Sequence, residues 1–393
     1  NTGISHINMG ESNKPTRAVY STIDLIAGAL NAKNKCSIYC PYMGDRLGNN
    51  LEYLGYSYPM TLAITEALKV NPSPNPRVGA VLTDKHGQIK AVSNHREKGK
   101  NHAEINIFEQ TTPSETDILY ITLEPCFHSD TSPSCSLEIL NQGIKNIVIG
   151  DIDCDQRTNG KSIDMLKQNK ISVKIEPNAN DLINPYYKTM HNNKSEINYI
   201  LKLGMSSNNY ITNDSSDSKY ITNDISLNIS HYLRAAADCI LIGKNTLLND
   251  KPRLNVRLDD ITNQLISPSP VVLWGDSKSL LSESMEQFPN FTFLSNSPSK
   301  NNNVFCETSS LEKVEEYFLQ QNYRNIFLEG GKSVITSYLD DSKIETIYEF
   351  KSSDHIQTGI SVGSRYLNDV TNNFSVRNKH QLLDNLLTIY TKN

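Results

Sequence analysis

His102 and Glu104 stand two residues apart, and Cys126 and Cys135 follow them. One imidazole and two thiolates are borderline-to-soft ligands, a set that suits a tetrahedral zinc with its fourth position open to water. Zinc acidifies water toward neutral pH, and a carboxylate beside it can carry the released proton. A purely structural zinc is the competing reading, but structural sites close with four protein ligands. Three ligands plus an acid do not meet that pattern. Of the other nearby histidines, His95 reads as a surface or substrate-side residue and His128 as a pocket-wall residue.

Residues two apart on an ideal helix point to opposite sides. His102 and Glu104 can therefore share a site only at a helix start, where the chain changes direction. Cys135 also opens an expected helix, and Cys126 lies just before the same turn. Free N–H groups and partial positive charge at such starts favour the thiolate that zinc requires. The order His-x-Glu, Pro-Cys, Cys is that of zinc-dependent nucleobase deaminases, in which the Glu is acid/base and not ligand.

The chain has 393 residues, enough for two domains and an extension. A net charge of -5 gives no basic footprint, so no nucleic-acid partner is expected. A few local arginines could still hold a small anionic substrate. No apolar run approaches the ~20 residues of a membrane span. The short apolar stretch at 23–30 lacks a basic leader, so no secretory signal is expected. The 7 cysteines are odd in number and sparse, which argues for a reducing cytoplasm over a disulfide scaffold. Cys36 and Cys40 could form half a metal site, but no second ligand pair follows, and the spacing reads as chance.

Residues 1–56 form an extension with one expected helix at 21–32 and no assigned role. The expected first domain, 57–191, starts with a helix at 60–70 and a Pro-rich stop. A strand at 78–82, a turn at 84–88 and a return strand at 89–92 follow. A helix start at His102 comes next, then strands at 118–123, 147–149 and 171–175 alternating with helices at 135–140 and 163–166. The second, 197–393, has strands at 197–205, 239–242, 271–274 and 326–328, with helices at 225–237 and after Gly331. Both halves read as α/β.

Eight residues, Phe127 to Ser134, separate the two cysteines, more than cytidine-type sites allow. Together with Asn75-Pro76-Arg77-Val78-Gly79, His102-Ala103-Glu104 and Thr122-Leu123-Glu124-Pro125-Cys126, this gap resembles the deaminase half of the bifunctional riboflavin-biosynthesis deaminase–reductases. The resemblance covers about 58–190. The chain lacks the glycine, the arginine and the second histidine that the family carries between the cysteines. The later Asp-Pro-Asn-Pro segment is blurred around Asp153-Cys154-Asp155-Gln156.

Lys202-Leu203-Gly204-Met205-Ser206, Ser218-Lys219-Tyr220-Ile221-Thr222, Leu233-Arg234-Ala235, the run from Thr246 to Arg257 and Leu328-Glu329-Gly330-Gly331 resemble the reductase half of the same family. The implied architecture is a cytidine-deaminase-like three-layer domain followed by a dihydrofolate-reductase-like α/β domain. By position, Gly204, Tyr220, Thr246, Asp250, Gly331, Lys332, Ser333, Val334, Ile335, Thr336 and Ser337 would hold NADPH. Ser218, Arg234, Leu254, Arg257 and Glu329 would face the sugar phosphate. The family's Ser-x-Asp-Gly is Ser206-Ser207-Asn208-Asn209 here, which removes a carboxylate and a glycine turn. Tyr220 replaces a tryptophan, and Lys251 an aspartate.

The resemblance implies zinc-dependent deamination of 2,5-diamino-6-(5-phosphoribosylamino)pyrimidin-4-one, then NADPH-dependent reduction of its ribosyl chain to ribityl, in a homo-oligomer. Three alternatives stand beside it. A deaminase of free or polynucleotide bases would need neither the second domain nor the acidic balance. The reductase half could be degenerate. The whole chain could be a non-catalytic zinc-binding protein.

Overall fold

The computed structural model describes residues 49–73, 75–128, 134–176, 178–191, 196–214, 220–258, 265–276, 280–296, 303–305 and 307–393. The expected helix at 21–32, Cys36, Cys40, residues 129–133 of the inter-cysteine loop and Ser218 lie outside them. All described residues belong to one compact unit, Asp45–Asn393. Residues 49–56 of the expected extension are part of it: a 3-10 turn, Asn49–Leu54, buries Leu51 fully and is followed by buried Tyr56.

The first sheet has strands β1 (Gly79–Thr83), β2 (Ile89–Asn94), β3 (Ile118–Ile121), β4 (Asn146–Ile149) and β5 (Ser172–Ile175), in the order β2-β1-β3-β4-β5. β1 is antiparallel to both neighbours, whereas β3, β4 and β5 run parallel. Alternation decides the faces. Ala80, Leu82, Leu119, Ile121, Ile147 and Ile149 pack with α2 (Ala103–Gln110), α3 (Cys135–Asn141) and α4 (Lys161–Gln168). Val81 and Val148 face α1 (Tyr58–Ala67) and α5 (Ala179–Ile183). The result is a helix–sheet–helix sandwich, followed by α6 (Pro185–His191). Gly79 has to be glycine, because a Cβ there would stand 1.9 Å from the Ala63 carbonyl oxygen.

The second sheet has nine strands: β6 (Asn198–Met205), β7 (Cys239–Gly243), β8 (Ser269–Gly275), β9 (Thr292–Ser295), β10 (Asn303–Phe305), β11 (Asn325–Leu328), β12 (Ile344–Ser352), β13 (Phe374–Leu382) and β14 (Asn385–Lys392). Their order is β10-β9-β8-β7-β11-β6-β12-β14-β13. It is parallel from β10 to β12 and closes with the antiparallel β13–β14 hairpin. The helices are α7 (Asp224–Ala236), α8 (Lys244–Asp250), α9 (Leu281–Gln287), α10 (Leu311–Gln320), α11 (Lys332–Asp340) and α12 (Ser364–Asn373). Tyr199, Leu201, Leu203 and Met205 face α10, α11 and α12. Ile200, Ile240 and Ile242 face α7 and share one continuous core with Met60, Ile64 and Leu182 of the first half.

Polar contacts stitch the same seam. Arg77 donates from Nη1 to the Ala236 carbonyl at 2.7 Å and from Nε to the Val70 carbonyl at 3.0 Å. Its main chain is held on both sides by Asn184, N to Oδ1 and O to Nδ2, each at 2.7 Å. Tyr348 Oη donates to the Asp181 carbonyl at 3.2 Å, and Arg377 pairs with the Asp181 carboxylate at 2.5 Å.

β7 leads through α8 to β8, on one side. β11 leads through α11 to β12, on the other. The two strands are neighbours, so their carboxyl ends border a crevice where connections diverge, the place where open α/β sheets take ligands.

Candidate functional site

His102 is the N-cap of α2, in extended conformation, and its side chain makes no cap hydrogen bond. The imidazole is thereby free to point aside while Glu104 occupies the first helical turn. Cys135 opens α3, where the Ser134 hydroxyl accepts from Leu137 N–H. Cys126 stands before this turn, and its sulfur accepts the Cys135 N–H at 3.2 Å. The three ligand atoms of His102, Cys126 and Cys135 lie within 4.8 Å of one another, and His102 Nδ1 is 3.2 Å from the Cys135 sulfur. Ligands on a tetrahedral zinc stand about 3.5 Å apart, so the cluster can hold the ion with little movement.

Glu104 is buried beside them, and its Oε2 has no hydrogen-bond partner among the described residues. An orphaned buried carboxylate oxygen costs about 1–3 kcal/mol, and proton transfer at the site would give it work. Burial pushes the Glu104 carboxyl up, against the pull of His102. The Cys135 thiol, and after it His102, pull Cys126 down to about 4. The same Cys126 sulfur lifts His102 to about 9. Hydrogen bonding to Cys126 and burial push Cys135 up. A zinc ion would displace the protons of His102 and Cys135.

Glu124, not assigned a role from sequence, holds the ligand loop in place. Its carboxylate accepts from the N–H groups of Gly160 (2.9 Å), Ser162 (3.1 Å) and Ile163 (3.3 Å) at the start of α4 and from that of Asp153 (3.2 Å) in the preceding loop. Ser162 Oγ donates to the Pro125 carbonyl at 2.6 Å. The signal in the sequence was an acid two residues before a ligand. His95 is not at the surface as one reading had it. It is buried, its ring meets that of His102 edge-on at 5.0 Å, and its nitrogens contact Asn75 Nδ2 (3.0 Å) and the Asn101 carbonyl (3.1 Å). Asn75 and Asn101 thus reach the metal ligand through it. His128 Nδ1 lies 3.4 Å from Thr158 Oγ1.

In the second half, Arg234 and Glu329 meet fork to fork, Nε to Oε1 at 2.7 Å and Nη2 to Oε2 at 2.5 Å. Sequence reading set both toward substrate, and the structure pairs them with each other. Arg234 Nη1 and Arg257 Nη1 both donate to the Asn255 carbonyl, at 3.1 and 3.3 Å. Arg257 N–H reaches His231 Nδ1 at 3.3 Å. Lys202 completes the cluster, its pKa lowered by burial and held up by Glu329. Tyr220, expected on the cofactor side, interacts with Arg257 and Arg234. Leu254 is buried with φ +53.

At the crevice, Gly331 N–H donates to Thr246 Oγ1 at 2.9 Å, and a Cβ at Gly331 would meet that oxygen at 2.9 Å. Lys332 and Ser333 are exposed at its rim, whereas Val334 and Ile335 are buried in the core. Thr336 and Ser337 turn their hydroxyls back to the carbonyls of Lys332 and Ser333. Gly204 lies beside Thr222 and the Lys202 ammonium. Asp250 is the last residue of α8, one turn beyond Thr246. Asn209 takes φ +69 and so keeps the turn that a missing glycine seemed to remove, while Asn208 Oδ1 accepts from Ser206 Oγ and Ile356 N–H.

Residues 55–151 match the cytidine and deoxycytidylate deaminase zinc-binding region, and residues 198–348 match the RibD C-terminal domain. The chain is 37% identical over 119 residues to the diaminohydroxyphosphoribosylamino-pyrimidine deaminase of Buchnera aphidicola (subsp. Schizaphis graminum), covering 28% of this chain and 80% of that one. The chain belongs to the riboflavin-biosynthesis deaminase–reductase family.

It is also 26% identical to the riboflavin biosynthesis protein RibD of Aquifex aeolicus over 335 residues, 81% of this chain and 92% of that one. A solved deaminase/reductase of Thermotoga maritima is similar with 26% identity and a TM-score of 0.58, covering 88% of this chain and 99% of that one. Like other family members, the chain is a bifunctional enzyme that joins a zinc-dependent deaminase to a reductase and serves riboflavin biosynthesis. No helix among the described residues is long and apolar enough to cross a membrane.

Proposed function

We propose that residues 57–191 deaminate 2,5-diamino-6-(5-phosphoribosylamino)pyrimidin-4-one and that residues 197–393 reduce the ribosyl chain of the product to ribityl with NADPH. The Thermotoga maritima relative is described as a diaminohydroxyphosphoribosylaminopyrimidine deaminase/5-amino-6-(5-phosphoribosylamino)uracil reductase. The observation that carries the first step is the orphaned Glu104 Oε2 beside His102, Cys126 and Cys135. Those three residues would hold zinc, which when bound supplies the Lewis acidity that makes water a nucleophile near neutral pH. Glu104 would take one proton from that water and give it to the ring nitrogen, then carry the second proton from the newly added hydroxyl to the departing amine. Water adds at the amine-bearing carbon, ammonia leaves, and a carbonyl remains. His95 keeps the His102 ring in place, and burial of Glu104 keeps its proton from solvent.

In the second half, Glu329 and Arg234 fix each other, so that Arg257 and the enclosed Lys202 offer positive charge to a sugar phosphate. Gly331 and Thr246, with the first turn of α11, suit the pyrophosphate of a dinucleotide. The reductase substrate is the deaminated product, so the two activities run in series. We further propose a homo-oligomer in the cytoplasm. Cys126, Cys135, Cys154 and Cys239, the cysteines among the described residues, form no disulfide there, which fits a reducing compartment, and light scattering on the purified chain reads the oligomer.

A coupled assay tests the reading. The diaminopyrimidine should release ammonia with zinc present, and NADPH oxidation should start only after it. Ammonia release without NADPH oxidation would leave the first half alone. Zinc content without ammonia release would leave a non-catalytic zinc protein.

A further inference from the structure

Lys244 follows Gly243 at the carboxyl end of β7, on the β8 side of the crevice. Its ammonium lies over the Trp274 indole, 5.4 Å from the ring centroid. Trp274 is near the end of β8, 3% exposed and braced edge-on by Phe293 at 5.7 Å. Among the described residues no carboxylate pairs with Lys244, in contrast to Lys69, Lys90, Lys174, Lys313 and Lys343. A half-buried cation held over an aromatic face is weakly bound, worth about 0.5–1 kcal/mol, and is available to an anion.

Lys202, Arg234 and Glu329 lie on the β6–β11 side, and the Gly331–Thr246 contact joins β11 to α8 in the middle. A dinucleotide that reaches the substrate cluster with its reducing end and rests its pyrophosphate on Gly331 must send its adenosine toward β7 and β8. NADPH differs from NADH by one phosphate on the adenosine 2′-oxygen. We propose that Lys244 is the residue that recognises this 2′-phosphate and makes the reductase half prefer NADPH, with Trp274 as the platform that positions it. The proposal rests on the reading of the second half as a nicotinamide-dependent reductase.

Trp274 is the one tryptophan of the chain, so intrinsic fluorescence reports on this place alone. Titration of the full chain with adenosine 2′,5′-bisphosphate should change Trp274 emission, and 5′-AMP should bind at least about tenfold more weakly, the effect of one charge-assisted hydrogen bond. In Lys244→Gln, NADPH affinity measured by calorimetry should fall to that of NADH. Lys244→Arg should keep the preference, which separates loss of the cation from loss of fold. A parent that prefers NADPH and a Lys244→Gln variant with the same preference would overturn the assignment to Lys244 alone. A parent that binds neither dinucleotide would overturn the reductase reading and this proposal with it.

Discussion

The Arg77 guanidinium donates to the Ala236 carbonyl across the seam between the two sheets. Arg77 sits in the segment that leads into β1 and borders the zinc centre through Asn75 and His95. Ala236 ends α7, two residues after Arg234. One side chain thus ties the wall of one active site to the helix that carries the other.

Arg77→Met should therefore destabilise the whole chain by about 1–3 kcal/mol, because buried carbonyls lose their donors. Urea unfolding measures it. A midpoint equal to that of the parent would show the contact to be dispensable.

Glu104→Gln should lower deamination by at least about 10²-fold and leave metal content unchanged, since the residue moves protons and does not ligate. Ammonia release and elemental analysis of the same sample decide the matter. Loss of zinc from the variant would make Glu104 a structural residue instead.

Glu124→Ala removes the acceptor of three N–H groups at the start of α4 and of the Asp153 N–H, and unpins Cys126. Zinc should exchange to a chelator about 10–100-fold more readily, as is usual when a ligand loses its support. Unchanged chelator kinetics would confine Glu124 to capping α4.

His231 gives the pH dependence. Burial first, then the charges of Arg234 and Arg257, hold its imidazole down at about 3, with Glu329 opposing and Lys202 adding to the shift. An unfolded histidine titrates near 6.5. Between those values the unfolded chain binds a proton that the folded chain refuses, so stability is full above about 6.5 and falls as the pH drops. The slope from this one group reaches about 1.4 kcal/mol per pH unit. His231→Asn should lose less stability than the parent between pH 7 and pH 5 in urea melts. Identical losses would mean that His231 is protonated in the folded chain.

The first sheet was legible because its strands alternate and its turn at Asp84–Gln88 is explicit, and the helix start at His102 followed from the need to bring Glu104 alongside. The edge of the second sheet was not. β13 carries Arg377, Asn378, Lys379 and His380, and the strand is largely exposed, so no face repeats. β12 places Glu349 in its apolar run, where hydrogen bonds from Tyr366 and Tyr390 support it. At the sites, residue types gave the zinc ligands, because three ligands and an acid have few other uses. They did not give Arg234 with Glu329, since an arginine and a glutamate far apart in sequence each look suited to a sugar phosphate. Asn209 was misread for a related reason: asparagine also tolerates positive φ, so the loss of a glycine was not the loss of a turn.

All the named acceptors of the Arg77 side chain are main-chain oxygens, those of Val70 and Ile183 on its own side of the seam and that of Ala236 across it. Every residue type except in altered backbone offers the same oxygen. A change of side chain at those three positions keeps the acceptor oxygen, whereas a change at Arg77 removes the donor. At this contact the reductase side supplies only a main-chain carbonyl, so the specificity of the joint is carried by Arg77, beside the Arg377–Asp181 pair and the shared apolar core.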